Sequence, residues 1–322
     1  MAVPDKGTAD PRGLARDPLV LYVPGLKSKP PPGIHARALW TCLLEGVRRA
    51  DPQAAAHLQE RVGVFDVVGW NYDFYGVYRD IGLDRAGIAE VLQQRQAGPR
   101  DIAEATSLRR RAVRWLYQLA DRLPFLIPQI ADENLELHLR DLRRYVKNTD
   151  DIAEATRRLV KLPLRAAAKA GRPIMLIGHS MGSVIAWDAL WQLSREARDV
   201  RVELFLTMGS PLGERTIQRC LLGTRAEGAE RYPANVRRWV NIAAVGELTA
   251  IDRHLANDYR AMVELGLVAE IVDYEVYNYF RYGDELNVHS EYGYFVNDVT
   301  GGVIADWWRS VTAAAPASAS LP

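Results

Sequence analysis

The chain has 322 residues, 48% of them apolar and 25% charged, the balance of a folded globular protein long enough to bury a substantial core. Lys and Arg number 41 against 40 Asp and Glu, so no global field favours nucleic acid or an acidic polymer. The two cysteines, Cys42 and Cys220, are far apart and lack metal-ligand spacing, which argues against a disulfide framework or a zinc site.

The first 17 residues mix charges with Pro and Gly and read as a tail, without the apolar core of about 7 to 15 residues that a signal peptide needs. No apolar run approaches the ~18 residues that span a bilayer. The expectation is a cytoplasmic protein with no integral membrane segment. Pro18 to Val23 is a continuous apolar run stopped by Pro24-Gly25, as in a parallel strand buried on both faces. A Pro-rich loop follows, then a helical pattern from Ile34 to Ala50 with Leu39, Trp40, Leu43, Leu44 and Val47 on one face. Val64 to Trp70 and Arg172 to Gly178 read as further strands, the latter followed by a helix carrying Val184, Trp187, Leu190 and Trp191 on one face. Val202 to Met208, Trp239 to Val245 and Ile271 to Phe280 continue the series, with a helix expected from Ile251 to Leu265. This alternation predicts an α/β fold with a doubly wound, mostly parallel sheet, spanning residues 18–311. Residues 312–322, rich in Ala, Pro and Ser, read as a C-terminal tail with nothing to pack.

About a hundred residues separate Trp70 from Pro173, whereas a crossover needs only a dozen or so, so residues 75–148 read as an insertion. The hexapeptide Asp-Ile-Ala-Glu-Ala-Thr occurs at Asp101 and again at Asp151, each time resembling an Asp N-cap with Glu three residues on.

Gly178-His179-Ser180-Met181-Gly182 fits G-x-S-x-G, with an apolar strand directly before and an amphipathic helix directly after. In that setting the serine sits on a sharp strand-to-helix turn. The flanking glycines remove side chains where strand, turn and helix approach, and the helix N-terminus supplies free N–H groups beside the reacting oxygen. A plain glycine-flanked turn is the bland alternative, and the strand-helix context argues against it.

The chain here resembles the α/β-hydrolase superfamily, in its serine esterase and lipase branch, from about Pro18 to Arg309, although only the elbow is specific. The resemblance implies Ser180 as nucleophile, followed along the chain by an acid and then a histidine. Of the two histidines after Ser180, His254 falls in a predicted helix. His289 lies in the polar loop Asp284 to Ser290, where the family's histidine loop would come. The acid is expected after the strand at residues 239–245, which makes Glu247 the candidate. Asp252 is its rival, although Thr249 and Asp252 resemble a capping box that would occupy the carboxylate. The oxyanion donors implied are the N–H groups of Met181 and Leu26, the latter in Pro24-Gly25-Leu26, where relatives often carry His-Gly. Gly209-Ser210-Pro211-Leu212 also resembles a segment of some lipase-like relatives, with a turn as the simpler reading.

The implied activity is carboxylic ester hydrolysis through an acyl-enzyme on a small-molecule or lipid-like substrate, needing no metal or organic cofactor. Acyl transfer or thioester cleavage with the same triad is the first alternative, and a non-catalytic binding protein on this scaffold the second. The insertion is expected to form a helical cap, with Phe125, Leu126 and Ile127 lining an apolar acyl pocket and Tyr72, beside Trp70, Phe74 and Tyr75, completing its wall.

Overall fold

In the computed structural model, residues 17–61, 63–122, 133–248 and 250–313 are described. The apolar run after Pro18 forms β1 (Leu19–Val23), buried at every position. It joins β2 (Phe65–Val67), β3 (Ile174–His179), β4 (Val202–Met208), β5 (Val236–Ala244) and β6 (Glu270–Val276) in one six-stranded sheet of order β2-β1-β3-β4-β5-β6. Every pairing in it is parallel. Such strands are buried on both faces, which is why they read as unbroken apolar runs rather than alternating ones.

Alternate residues feed two cores. Val20 and Tyr22 of β1, Met175 and Ile177 of β3, and Val240 and Ile242 of β5 pack with α1 (Pro32–Ala50) and the C-terminal helix at Asp298–Ala313. Leu19, Leu21 and Val23, with Ile174 and Leu176, point the other way, toward the helices at Ile152–Lys169 and Met181–Glu196. The fold is therefore α/β and doubly wound. The chain runs outward from β1 to β2 and then returns to the other side of β1 with β3, so the strand order reverses between β1 and β3. A crevice opens at such a reversal, at the carboxyl ends of the strands.

Between β1 and β2 comes α2 (Pro52–Gln59). Between β2 and β3 the described residues form α3 (Trp70–Tyr75), α4 (Gly82–Gln93), α5 (Pro99–Ala105), α6 (Leu108–Arg122), α7 (Glu133–Val146) and α8 (Ile152–Lys169). Further along are α9 (Met181–Glu196), α10 (Arg215–Gln218), α11 (Leu255–Asp258), α12 (Arg260–Glu264), α13 (Glu291–Val296) and α14 (Asp298–Ala313). Helix α6 lies across the loops that follow β4 and β5. Arg114 Nη2 donates to Ile251 O at 3.0 Å, and the Asp121 carboxylate accepts the N–H groups of Arg215 and Thr216 at 2.9 Å each. Among the described residues no helix is long and apolar enough to cross a membrane.

Several expectations require correction. The strand expected over 64–70 pairs only at Phe65–Val67, and Trp70 instead heads α3. The helix expected over 251–265 is two short pieces. The Asp273 carboxylate accepts the N–H groups of Leu255 and Ala256 and so starts the first piece late, and Tyr259 at φ −109° and ψ 18° interrupts it. Of the two copies of the repeated hexapeptide, Asp151 does hold the N-cap position of α8 but its side chain makes no capping bond, and Asp101 is not an N-cap. Asp101 lies inside α5 and accepts the Gly98 N–H at 2.8 Å, while α8 is capped by Asn148, whose Oδ1 accepts from Ala153 and Glu154.

Candidate active site

Ser180 is placed by steric necessity at the end of β3. Its backbone adopts φ 51° and ψ −128°, a conformation that a residue with a Cβ rarely takes. Three hydrogen bonds hold it there: Ser180 N donates to Met208 O at 3.0 Å, and Ser180 O accepts from Ser183 N at 2.9 Å and from Ser183 Oγ at 2.6 Å. Ser183 Oγ is in turn 2.7 Å from Ser210 Oγ. A Cβ on Gly182 would come within 2.1 Å of Val23 O, so only glycine lets α9 start this close to β1.

His289 and Glu247 converge from different loops. His289 Nδ1 lies 2.8 Å from Glu247 Oε1. A carboxylate only accepts, so Nδ1 carries the proton and in the neutral ring Nε2 keeps its lone pair. Glu247 is almost fully buried, and its other oxygen, Oε2, accepts the Tyr294 hydroxyl at 2.8 Å. That hydroxyl also accepts the Ala244 N–H at 2.8 Å, which ties the acid to the end of β5. Burial, with the Glu247 charge beside it, raises the Tyr294 pKa well above the ordinary value, so the phenol stays a donor.

The His289 backbone is fixed as well. Its N–H donates to Asn287 Oδ1 at 3.1 Å, and its carbonyl lies 3.0 Å from His179 Nε2, which must therefore carry a proton. Burial, then the neighbouring His289, lowers the His179 pKa to about 3, so His179 acts as a neutral donor. Gly209 adopts φ +53°, and a Cβ there would meet His289 Nδ1 at 3.0 Å and the Tyr294 hydroxyl at 3.1 Å. The Gly209-Ser210 segment, read in the sequence most simply as a turn, thus makes room for the His289 ring and braces the elbow through Ser183.

Ser180, His289 and Glu247 open onto one cavity of about 990 Å³, with Gly25 and Leu26 on its wall. It lies at the strand-order reversal, between the loop after β1 and the elbow after β3. A Cβ on Gly25 would be 2.9 Å from Ser180 Cβ, so that loop packs directly on the serine. Among the described residues no hydrogen bond uses the N–H of Leu26 or of Met181. Helix α6 contributes Arg110, Val113 and Tyr117 to the wall. Arg110 reaches Gly246 O at 3.4 Å and Leu286 O at 2.9 Å, bridging the loops that carry Glu247 and His289.

The other sequence candidates fall elsewhere. Asp252 is exposed, with Oδ1 accepting the His254 N–H at 2.9 Å, and does not line this cavity; Thr249 lies outside the described residues. His254 is exposed and 3.8 Å from Glu275. Phe125, Leu126 and Ile127 lie outside the described residues. Tyr72, expected on the substrate wall, is instead 43% exposed, stacks on Tyr78 with ring centroids 4.4 Å apart, and lines a separate small groove. The reason is helical geometry: the inward face of α3 is taken by Trp70, Asn71 and Phe74, so Tyr72 points out. The described wall mixes cations, Lys27, Lys29 and Arg109 among them, with Leu248 and Val288.

Among known proteins, no family model, no curated protein and no solved structure matches this chain.

Proposed function

We propose that the protein is a serine hydrolase that cleaves carboxylic esters through an acyl-enzyme, on an α/β-hydrolase type of scaffold with the insertion at residues 75–148, which carries α4 to α7, as a helical cap. The observation that carries this reading is a strained serine at a strand-to-helix elbow sharing one cavity with a histidine whose Nδ1 is held by a buried glutamate. Strained backbone at a nucleophile that opens onto a cavity is a recurrent functional device.

His289 Nε2 takes the Ser180 hydroxyl proton as Oγ forms a bond to the ester carbonyl carbon, and Glu247 stabilises the imidazolium that results. The carbonyl oxygen becomes an oxyanion, for which the unused N–H groups of Leu26 and Met181 are the proposed donors. The imidazolium returns its proton to the leaving alkoxide, and the alcohol departs. Water, deprotonated by the same histidine, then attacks the acyl-enzyme and releases the acid. Acyl transfer and thioester cleavage use the same steps with another acceptor or leaving group, and product analysis separates them.

A panel of p-nitrophenyl esters from acetate to palmitate tests the reading and grades the acyl preference. Turnover with saturation kinetics supports a hydrolase; no turnover of any member, with no labelling by a fluorophosphonate, contradicts it.

A further inference from the structure

The loop after β1 is held almost entirely by side chains of the short helix α3. Asn71 is buried, and its Nδ2 donates to Gly25 O and to Lys27 O, both at 2.8 Å, bracketing Leu26. Trp70 Nε1 donates to Pro24 O at 2.9 Å. The Tyr75 hydroxyl accepts the Lys27 N–H at 3.0 Å and donates to Asp141 Oδ2 at 2.8 Å, which anchors the group to α7. From Pro24 to Lys27, three carbonyls and one N–H are thus taken by α3, while the Leu26 N–H is not. Lys27 sits at φ 73°, a left-handed conformation disfavoured for a residue with a Cβ, and it is bonded on both its N–H and its carbonyl.

The Gly25 carbonyl and the Leu26 N–H belong to one planar trans peptide, so they point in opposite directions. Whatever holds the carbonyl toward α3 turns the N–H away from α3. We propose that Asn71, assisted by Tyr75, is a positioning residue that presets the Leu26 N–H as an oxyanion donor before substrate arrives. The proposal rests on the esterase reading above. Fixing donors in advance is what makes an oxyanion hole effective, because no reorganisation is then needed as charge develops. Two bonds from one rigid amide to the carbonyls either side of Leu26 supply that fixation.

Asn71→Leu removes both donors, and Asn71→Asp keeps the shape while setting oxygens against two carbonyls. For each, kcat and KM on p-nitrophenyl butyrate, the affinity of an aryl trifluoromethyl ketone and the thermal midpoint are measured, with kinetics at a temperature where circular dichroism shows full folding. The expected result is a fall in kcat of about 100-fold, the size associated with losing one oxyanion donor. KM should stay within about threefold, and ketone affinity should fall in step with kcat/KM, because the bound hemiketal carries the oxyanion. A folded Asn71 variant with kcat and ketone affinity within about threefold of the parent overturns the proposal. Should neither variant fold, Tyr75→Phe cuts the bonds at the Lys27 N–H and at Asp141 Oδ2 and leaves both Asn71 bonds in place: about a tenfold drop in kcat at constant KM supports the proposal, and an unchanged kcat overturns it. Failure of the esterase reading shows separately, as a parent protein that neither turns over the ester nor binds the ketone, and it removes this proposal too.

Discussion

The Tyr294 hydroxyl donates to Oε2 of Glu247 at 2.8 Å, on the oxygen that His289 does not use. Both carboxylate oxygens are thereby committed, and the carboxylate plane is fixed against the imidazole. Tyr294→Phe should leave a nearly isosteric core but free Oε2 and deprive the Ala244 N–H of its acceptor. The expected outcome is a loss of about 1–3 kcal/mol in chemical denaturation together with a fall in kcat of about tenfold, measured on the same preparation. Unchanged kinetics would show that His289 alone orients the acid.

Glu247 and Asp252 give opposite forecasts. Glu247→Gln should lower kcat/KM by about a thousandfold or more, because an amide cannot hold the imidazole in the tautomer that accepts the serine proton or balance its charge. Asp252→Asn should change it by less than about threefold, since that exposed carboxylate caps a turn. Parallel kinetics on one ester decide between them, and the reverse ranking would assign the acid to Asp252.

Gly209→Ala probes the space under the histidine. The added methyl meets His289 Nδ1 and the Tyr294 hydroxyl at about 3 Å, at a backbone φ of +53° that alanine resists. The expected cost is about 1–2 kcal/mol of stability from the left-handed backbone. A fall in kcat of at least tenfold from displacement of the ring should accompany it. Full activity in the folded variant would contradict the close approach.

A third carboxylate gives a pH forecast. Glu291 is buried beside the serine cavity and accepts from the Tyr22 hydroxyl at 2.5 Å, from Lys29 Nζ at 2.9 Å and from His35 Nε2 at 2.9 Å. Burial pushes its carboxyl pKa up, but Lys29 and His35 outweigh that and hold it well below the ordinary 4.5. A folded-state pKa below the unfolded one means that the stabilisation is complete above about 4.5 and is lost as pH falls through the folded value. Glu291→Gln should therefore cost about 3 kcal/mol at pH 7. The gap between variant and parent should narrow as urea denaturation is repeated at lower pH below 4.5. A gap that stays constant with pH would remove the ionised carboxylate from the account.

The elbow is legible in sequence because an apolar strand, the G-x-S-x-G turn and a helix follow one another directly; the need for Gly178 is local, since a Cβ there would meet Ser183, whereas Gly182 is required by Val23 O of the neighbouring strand. The pairing of His289 with Glu247 could be expected only through chain order within a family. Tyr294 carries no such signal, since its contact with Glu247 spans 47 positions and depends on how α13 packs beneath the end of β5. Asn71 is equally silent, because its partners Gly25 and Lys27 are 46 and 44 positions away. In the sequence the aromatic-rich stretch after a strand reads as a wall that includes Tyr72, whereas a helix starting at Trp70 turns Trp70, Asn71 and Phe74 inward and leaves Tyr72 exposed.

The central claim is that Ser180 attacks the substrate, and the most direct test is covalent labelling by a fluorophosphonate probe, with the modified peptide identified by mass spectrometry. The account predicts one adduct, on Ser180, forming in parallel with the loss of esterase activity. In Ser180→Ala both adduct and turnover should vanish while the thermal midpoint stays within a few degrees of the parent, since only one hydroxyl has gone. A Ser180→Ala protein that still hydrolyses esters and still labels at a single serine would contradict the account.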